Sequence, residues 1–275
     1  MATRTRSETG DTLLFLAKLA LFVLIFRSFL IAPYSIPSES MLPRLYIGDY
    51  LFVSKWNYGY SRWSLPWGLP PFPGRILPRD PARGDVVVFR APVVENHDVI
   101  KRVIGLPGDT VEMRHGTLVL NGAAIPKRRL ADFVLPITPN FSDQHCAPAF
   151  RAVIAGGQAI CRYPRYRETL PGGVSYDVLD QGEFPDRDDT SVYTVPAGHI
   201  FVMGDNRDDS GDSRFPAPPN AGADGLPGYG MGFVPLANVE GKALVTFFST
   251  DGSASWIAPW TWVSAGRWRR IGAGF

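Results

Sequence analysis

Residues 84–120 contain four short runs of mostly apolar residues: VVVF at 86–89, VIKRVI at 99–104, VEM at 111–113 and TLVL at 117–120. Glycine, proline and polar residues separate the runs, which is typical of short strands joined by turns. Arg114, His115 and Gly116 connect the last two runs and predict a hairpin with a glycine-containing turn. Similar runs occur at 51–53, 199–203 and 243–248, so the sequence predicts an all-β domain.

The composition agrees with this fold class and narrows the function. The 28 Gly and 25 Pro together make up about a fifth of the 275 residues. These two residues reach only roughly 12% in average proteins. Lys and Arg total 28 against 26 Asp and Glu, a net charge of only +2, which argues against a nucleic-acid partner. The two cysteines form no C-x-x-C motif, so a cysteine zinc site is excluded.

Upstream of the β domain lies a long apolar segment. All positions between Leu13 and Ala32 are apolar except three, which are Lys18, Arg27 and Ser28. At a rise of about 1.5 Å per residue, a helix of this length spans the roughly 30 Å hydrocarbon core of a bilayer. We therefore expect one transmembrane helix at residues 12–32.

Two arginines, Arg4 and Arg6, precede this segment. Because cytoplasmic flanks carry an excess of Lys and Arg, we expect residues 1–11 to be cytoplasmic and the chain after Pro33 to lie on the outer side. A cleaved signal peptide is the alternative. The apolar segment is longer than the hydrophobic region of a signal peptide and lacks the small residues of a cleavage site, which favours an uncleaved anchor.

The remaining chain divides by its pattern. We expect a β domain formed by residues 33–122 and 191–250, with an inserted β-rich subdomain at 123–190 where the periodicity is weaker. Cys146 and Cys161 lie in this insert. On an oxidising outer side they could form a disulfide, and two unpaired thiols are the alternative.

Residues 251–275 form a C-terminal tail rich in Trp and Arg. Its aromatic and basic residues are Trp256, Trp260, Trp262, Trp268, Arg267, Arg269 and Arg270. Aromatic rings combined with arginines suit a membrane interface. Packing of the same rings against the β domain explains the composition equally well, so both interpretations remain open.

Familiar catalytic motifs are absent: the chain has no G-x-S-x-G, no H-E-x-x-H and no P-loop sequence. A serine hydrolase without a histidine base can instead use a lysine that is held neutral in an apolar site. Three segments contain suitable residues: PSESMLPRL at 37–45, DVIKRVIG at 98–105 and GDNRDDSGDSR at 204–214.

Strand alternation places Val99, Lys101 and Val103 on one face of the second segment. If this face is buried, desolvation lowers the pKa of Lys101 and provides a free amine as a general base at neutral pH. Taken alone, Lys101 is typical of a solvated strand lysine and Ser40 of a turn residue, so the catalytic interpretation depends on their joint occurrence. The acidic run at 205–212 lacks the Glu at position 12 that an EF-hand requires, and we expect neither metal nor cofactor.

In this order, and behind an apolar N-terminal segment, the three segments resemble the conserved segments of bacterial type I signal peptidases. These are membrane-bound serine endopeptidases with a Ser/Lys dyad, and they cleave signal peptides from exported preproteins. The resemblance covers about 12–122 and 192–250. It implies a mainly β fold, a signal-peptidase-like catalytic domain with a β-rich insert, in which Ser40 is the nucleophile and Lys101 the general base.

The resemblance also implies roles for the surrounding residues. The Ser38 hydroxyl and the Ser40 backbone N–H form the oxyanion hole, and Ser210 orients the lysine amine. The residues implied as structural ion-pair partners are Asp205, Asp212 and Arg214. A substrate strand with small residues at −3 and −1 is expected between two walls, formed by Ile36 and Pro37 on one side and Asp98, Val99 and Ile100 on the other.

The implied partners are the signal peptides of preproteins and membrane lipid, with transient proximity to the secretion translocon. The implied location is the bacterial inner membrane, with a single span and a periplasmic catalytic domain. Two alternatives remain at this point: a Ser/Lys maturation peptidase with a narrow client, and an inactive membrane-anchored periplasmic binding module. Intact Ser40, Lys101 and Ser210 argue against the inactive module.

Overall fold

A computed structural model describes residues 8–92, 97–215, 230–255 and 257–275. Arg4, Arg6 and Trp256, which the sequence analysis singled out, lie outside these ranges. The helices within them are α1 (Glu8–Phe29), α2 (Pro185–Asp188) and α3 (Thr261–Ala265). Single 3₁₀ turns occupy Arg62–Ser64, Pro66–Gly68, Asp143–His145, Pro148–Phe150, Leu236–Asn238 and Trp268–Arg270.

Strands outnumber helices by far among the secondary-structure elements of the described residues, as the sequence predicts. The first ten strands are β1 (Ile31–Ser35), β2 (Asp49–Ser54), β3 (Tyr60–Ser61), β4 (Arg75–Ile76), β5 (Val86–Arg90), β6 (Asp98–Gly105), β7 (Thr110–Arg114), β8 (Thr117–Leu120), β9 (Ala123–Ala124) and β10 (Lys127–Arg129). The others are β11 (Phe133–Pro136), β12 (Arg151–Val153), β13 (Ala159–Tyr163), β14 (Arg165–Thr169), β15 (Ser175–Leu179), β16 (Tyr193–Thr194), β17 (His199–Met203), β18 (Val234–Pro235) and β19 (Val239–Ser249).

Helix α1 is long and apolar enough to cross a membrane, and almost all of its side chains are exposed on the protein. It ends at Phe29 rather than at the predicted residue 32. The reason is that Ile31 already pairs with Ser54 and Ala32 with Val53, so the chain enters the sheet at once. Ala32 is fully buried in that sheet and belongs to the β domain rather than to the anchor.

The central sheet has seven strands in the order β1-β2-β19-β5-β6-β17-β18, and its neighbours are antiparallel. The sheet is curled, because side chains from both of its halves meet in one apolar cluster: Ile36 after β1, Leu51 and Val53 of β2, Val86 and Val88 of β5, with Tyr34 and Ile100 packed against it. This curl brings the segment that follows β1 close to β6.

Smaller sheets flank the central one. Strands β7 and β8 form the predicted hairpin, which is confirmed, with left-handed φ values of 47° at His115 and 67° at Gly116. Two three-stranded sheets, β10-β14-β15 and β11-β13-β12, lie entirely within residues 123–190. A disulfide joins Cys161, on β13 of the second of these sheets, to Cys146 in the connection between β11 and β12.

The C-terminal tail packs partly against the β domain. Trp262 stacks on Phe248 with the ring centroids 5.9 Å apart, and Trp268 packs edge-on against the same ring. Trp260, in contrast, is 74% exposed. The tail therefore packs on β19 through some of its rings and presents others to the surroundings.

Candidate active site

The segment at 37–45, which carries the predicted nucleophile Ser40, follows β1 and folds back in a tight turn. The Ile36 N–H donates to the Asp49 carbonyl, and the Leu45 N–H donates to the Met41 carbonyl, both at 2.9 Å. Met41, Leu42 and Leu45 are completely buried. Because apolar side chains anchor the turn from below, Ser40 is held at its top with only 8% of its surface exposed.

Strand β6 supplies the lysine. Lys101 pairs with Val87 of β5, and its neighbour Arg102 pairs with Val86, so the two basic side chains leave the sheet on opposite faces. The Lys101 ammonium donates a hydrogen bond of 2.7 Å to the Ser40 Oγ. The structure thus brings together two residues that are 61 positions apart in sequence.

The surroundings of Lys101 disfavour its charged form. The side chain is 4% exposed, and burial lowers the pKa of Lys101 to about 8, against the raising effect of Asp212 and Asp205. Those two carboxylates are already engaged: Asp205 accepts two hydrogen bonds of 2.7 Å from Arg102, and Asp212 pairs with Arg214 at 2.9 Å. Arginine partners therefore keep the acidic residues from fully stabilising the lysine cation.

The third segment lies against the nucleophile turn. The Asn206 backbone N–H donates to the Ser40 carbonyl at 3.1 Å, and the Asn206 side chain donates to the Glu39 carbonyl at 3.3 Å. A Cβ at Gly204 would come within 2.5 Å of the Ser40 carbonyl oxygen and would also overlap the Ser210 side chain. Only glycine fits at this position. Gly204 and Asn206 together therefore fix the position of the Ser40 backbone.

The predicted ion-pair residues hold this third segment. Asp212 accepts from the Arg214 side chain and from the Gly204 N–H at 3.0 Å. Asp205 pairs with Arg102 of β6, which ties the segment to the strand of the lysine. All of these side chains are nearly fully buried.

Ser38 and Ser210, the candidate oxyanion and orienting residues, both lie near Ser40 but differ in their hydrogen bonding. Ser38 Oγ is 3.3 Å from Ser40 Oγ. Ser210 Oγ is buried and has no hydrogen-bond partner among the described residues, so the expected bond between Ser210 and Lys101 is not formed in this geometry. Ser210 nevertheless packs beside Gly204 and the Ser40 backbone.

The candidate substrate-binding residues lie on two segments that the curled sheet brings close together. Ile36 is buried and Pro37 exposed on the side of the nucleophile segment, while Val99 and Ile100 are half-buried and Asp98 exposed on β6. Ile36 and Ile100 belong to the same apolar cluster across the curl of the sheet. Within the ranges that the structure describes, no group of His, Cys, Asp or Glu side chains is placed to hold a metal ion.

A comparison with protein families agrees with this geometry. The family model for signal peptidase, peptidase S26, matches residues 9–248. The chain belongs to the signal peptidase family, peptidase S26. Its activity is the cleavage of signal peptides, that of a type I signal peptidase and serine endopeptidase, and its substrates are preproteins that carry them. The apolar helix α1 fits the membrane anchor of this family.

Individual relatives are similar over most of their length. Signal peptidase I of Rickettsia typhi is 32% identical over 238 residues, which cover 82% of this chain and 75% of the relative. Signal peptidase I of Rickettsia akari is 33% identical over 235 residues with the same coverage. A crystal structure of signal peptidase I from Enterococcus faecalis shares 31% identity, covers 60% of this chain and 97% of that chain, and has a TM-score of 0.28.

Several residues around the site had no role in the sequence analysis. Gly204 and Asn206 lie within the third segment, but only the folded structure shows that they contact the Ser40 turn. Glu168 of β14 forms a buried ion pair with Arg207, whose Nη1 is 2.6 Å from Glu168 Oε1. No motif surrounds Glu168, so only the packing of the insert against the third segment reveals this pair.

Proposed function

We propose that the chain cleaves signal peptides with Ser40 as the nucleophile and Lys101 as the general base. The observation that carries this proposal is the 2.7 Å contact between Lys101 Nζ and Ser40 Oγ inside a buried site. The distance suits direct proton transfer. A lysine pKa that burial lowers to about 8 leaves a useful fraction of free amine near neutral pH.

In the proposed mechanism the neutral Lys101 amine accepts the Ser40 hydroxyl proton as Ser40 Oγ bonds to the scissile carbonyl carbon. The resulting ammonium then protonates the leaving amine as the carbon–nitrogen bond breaks. Lys101 next takes a proton from water, which attacks the acyl ester, and returns that proton to Ser40 Oγ. Each step passes a single proton through Nζ, which is why one lysine suffices for acylation and deacylation.

We assign the oxyanion hole to the Ser40 N–H and the Ser38 hydroxyl. The 3.3 Å separation of the two hydroxyl oxygens supports this assignment, because a donor beside the nucleophile can follow the developing negative charge. Ser210 is proposed to orient the free amine, since its buried hydroxyl has spare hydrogen-bonding capacity within the described residues. The ion pairs of Asp205, Asp212 and Arg214 are proposed to be structural.

The substrate is proposed to bind as an added strand between the Ile36–Pro37 wall and the Asp98–Ile100 wall. The signal-peptide side would face Tyr34, since β1 leads back from there to α1 and the membrane. Side chains of a strand alternate, so the −1 and −3 residues point to the same side of the slot. On β6, half-buried Ile100 packs against the apolar cluster of Ile36, and we propose that this packing favours small side chains at both positions.

For the membrane, we propose that residues 1–11 are cytoplasmic, that the catalytic β domain (33–122 and 191–250) and its insert lie outside, and that the C-terminal tail touches lipid. Ile257, Trp260 and Val263 are 92%, 74% and 69% exposed, and exposed aromatic and aliphatic side chains partition to the bilayer interface. Protease added to spheroplasts should digest the body of the protein. The same arrangement would keep the site close to preproteins as they leave the translocon.

Cleavage of a preprotein by the full-length enzyme in detergent tests the dyad. Ser40→Ala should abolish cleavage, and near wild-type turnover by this variant would overturn the proposal. For the lipid contact, Trp260→Ser with Val263→Ser should slow cleavage of a preprotein in vesicles while cleavage of a short soluble peptide stays the same. If the double variant cleaves the preprotein in vesicles as fast as the wild type does, the proposed contact between the tail and the membrane is wrong.

A further inference from the structure

A buried ion pair joins the insert to the third segment. Arg207 of the third segment donates from Nη1 to Glu168 Oε1 at 2.6 Å and from Nη2 to Glu168 Oε2 at 2.5 Å. The Tyr176 hydroxyl donates to the same Oε2 at 2.9 Å. Glu168 is completely buried and Arg207 is 3% exposed, so this two-pronged pair is shielded from water and has a fixed geometry.

The Arg207 cation depends on Glu168. Its Nε is buried without a hydrogen-bond partner among the described residues, and its Nη2 is also 3.5 Å from the Tyr176 oxygen. Burial lowers the pKa of Arg207, but the Glu168 carboxylate is the strongest opposing influence, and the pKa lies above its ordinary value. Without Glu168 the guanidinium would be a buried charge with no bound carboxylate in the described part of the chain. Such a charge is costly, so the side chain would move toward water.

Arg207 is one of two ion-paired residues that flank Asn206. On the other side, Asp205 accepts two hydrogen bonds of 2.7 Å from Arg102 of β6. The Arg102 guanidinium lies 4.4 Å from the centre of the Tyr176 ring, so Tyr176 contacts one pair through its ring and the other through its hydroxyl. Two linked ion pairs thus hold the chain immediately before and after Asn206.

The main chain provides a second attachment to the insert. At the end of β15 the Leu179 N–H donates to the Asp205 carbonyl, and the Arg207 N–H donates to the Leu179 carbonyl, both at 2.9 Å. Between them, the Asn206 N–H donates to the Ser40 carbonyl at 3.1 Å. Residues 205–207 therefore lie between the insert and the turn of Ser40, and a shift of Arg207 would reach Ser40 through a single residue.

We propose that Glu168 is a positioning residue for Ser40, which it holds in place through Arg207 and Asn206. This inference rests on the proposed dyad. The ion pair fixes Arg207, the neighbouring Asn206 holds the Ser40 carbonyl, and Ser40 Oγ thereby stays 2.7 Å from Lys101 Nζ. A misplacement of about 1 Å at a reacting group can cost about 10²-fold in rate. The insert would thus help to assemble the site, although it carries neither member of the dyad.

The chain contains a matched control for this ion pair. Glu240 of β19 accepts from the Lys55 ammonium at 2.9 Å and from the Tyr34 hydroxyl at 2.5 Å, and both Glu240 and Lys55 are almost completely buried. Like Glu168, Glu240 is a buried carboxylate bound to one cation and one tyrosine. Among the described residues, no hydrogen bond joins its side chain to the third segment or to the turn at 37–45. A change at Glu240 therefore breaks a comparable pair without affecting the route to Ser40.

The test compares Glu168→Gln with Glu240→Gln in the full-length, detergent-solubilised enzyme. Gln keeps the size of Glu and can still accept the tyrosine hydroxyl, but it removes the charge. The kcat and KM of preprotein cleavage are measured at a temperature where tryptophan fluorescence shows each variant to be folded. In Glu168→Gln we expect kcat to fall about tenfold or more and KM to stay within about twofold of the wild type, because Ser40 is misplaced while the proposed substrate walls are unchanged. In Glu240→Gln both constants should stay within about twofold of the wild type.

Glu168→Asp keeps the charge but withdraws the carboxylate by one methylene, and it serves if Glu168→Gln does not fold. Its kcat should fall about threefold or more, with Glu240→Asp as its control. An unchanged kcat in a folded Glu168 variant, a change confined to KM, or an equal fall of kcat in the matched Glu240 variant would overturn the positioning role. Cleavage by Ser40→Ala would overturn the dyad instead. Inactive Ser40→Ala together with fully active Glu168→Gln would overturn the role of Glu168 alone.

Discussion

Lys101 and Lys55 are both almost fully buried, with 4% and 3% of their surfaces exposed, and yet their surroundings differ. Lys55 lies 2.9 Å from the Glu240 carboxylate and forms an ion pair with it. Lys101 lies 2.7 Å from a neutral hydroxyl, while Asp205 and Asp212, the acidic residues that act most strongly on its pKa, are bound to arginines. Burial alone therefore does not make a lysine a base, and the partner at its tip decides the outcome.

The largest expected effect is on catalysis. Replacing Lys101 by Met should reduce kcat/KM for preprotein cleavage by at least about 10³-fold, and Ser40→Ala should do the same, because a nucleophile and its base act as a unit. The double variant should be no worse than either single variant. Turnover is measured by gel analysis of the cleaved preprotein.

The control for this experiment is Lys55→Met, measured at a temperature where the protein stays folded. It should retain far more activity than Lys101→Met. Comparable inactivation of a folded Lys55→Met enzyme would show that the two lysines do not have separate roles.

For stability we expect the opposite order, with Lys55→Met losing more free energy of unfolding than Lys101→Met. Lys55→Met leaves the Glu240 carboxyl buried without its cation, and breaking such a pair costs about 3–5 kcal/mol in the free energy of unfolding. Lys101→Met removes a poorly stabilised buried cation and should be neutral or stabilising. Urea denaturation followed by tryptophan fluorescence measures both.

A second change tests the cause. Adding Glu240→Gln to Lys55→Met should recover part of the lost stability, because a neutral amide tolerates burial better than an unpaired carboxylate. If Lys101→Met were the more destabilised of the two lysine variants, the ion-pair explanation would fail.

The pH dependence should show the lowered pKa of Lys101 directly. The amine must be unprotonated to accept the Ser40 proton, so kcat/KM should rise with pH and level off above a midpoint near pH 8. Below that midpoint it should fall about tenfold per pH unit. A profile that continues to rise toward about pH 10.4, the ordinary value for lysine, would mean that Lys101 is solvated or is not the base.

The same shift has a consequence for stability. Between about pH 8 and the ordinary lysine value, the unfolded chain binds a proton that the folded protein does not, so the free energy of unfolding should rise with pH across this window. Lys101→Met should lack this contribution. Equal slopes in the wild type and Lys101→Met would contradict it.

The smallest effect is expected at Ser210. Ser210→Ala should reduce kcat/KM by about tenfold, because the free amine loses a group that orients it. Stability should stay constant or increase slightly, since the buried hydroxyl has no partner among the described residues. Thermal unfolding and initial rates measure the two quantities.

Ser249 provides the matched control, because its hydroxyl is likewise buried without a partner in the described part of the chain. It lies at the end of β19 and not in the proposed site. Ser249→Ala should leave the rates unchanged, and a similar loss in both variants would deny Ser210 an orienting role.

Local pattern was sufficient for much of the fold. The alternation in 99–104 predicts the strand that carries Lys101, and the runs at 111–113 and 117–120 predict the hairpin, since both signals depend on neighbouring residues. The end of α1 could not be read in this way. Ile31 and Ala32 are as apolar as the helix before them, and only their pairing with β2 assigns them to the sheet.

The residues of the site likewise divide into those that stand in a sequence motif and those that only tertiary packing brings together. Ser40, Lys101, Ser210 and the acidic segment stand in recognisable motifs, so their residue types were visible in the sequence. Lys55 and Glu240 form a buried ion pair although they lie 185 positions apart, and neither stands in a motif. The bulge that aims Glu240 inward depends on the register between β19 and β5, which no single strand specifies.

By itself, the sequence determined the apolar N-terminal helix, the β character of the body and the residue types of the proposed dyad, because each follows from the pattern of side chains along a short stretch. The tertiary structure decided which buried lysine meets a hydroxyl and which meets a carboxylate. It also decided that arginines bind the acidic residues near Lys101. These outcomes depend on the curl and register of the sheet, since electrostatic effects in a buried site depend on distances of a few ångströms between residues that are far apart in the chain.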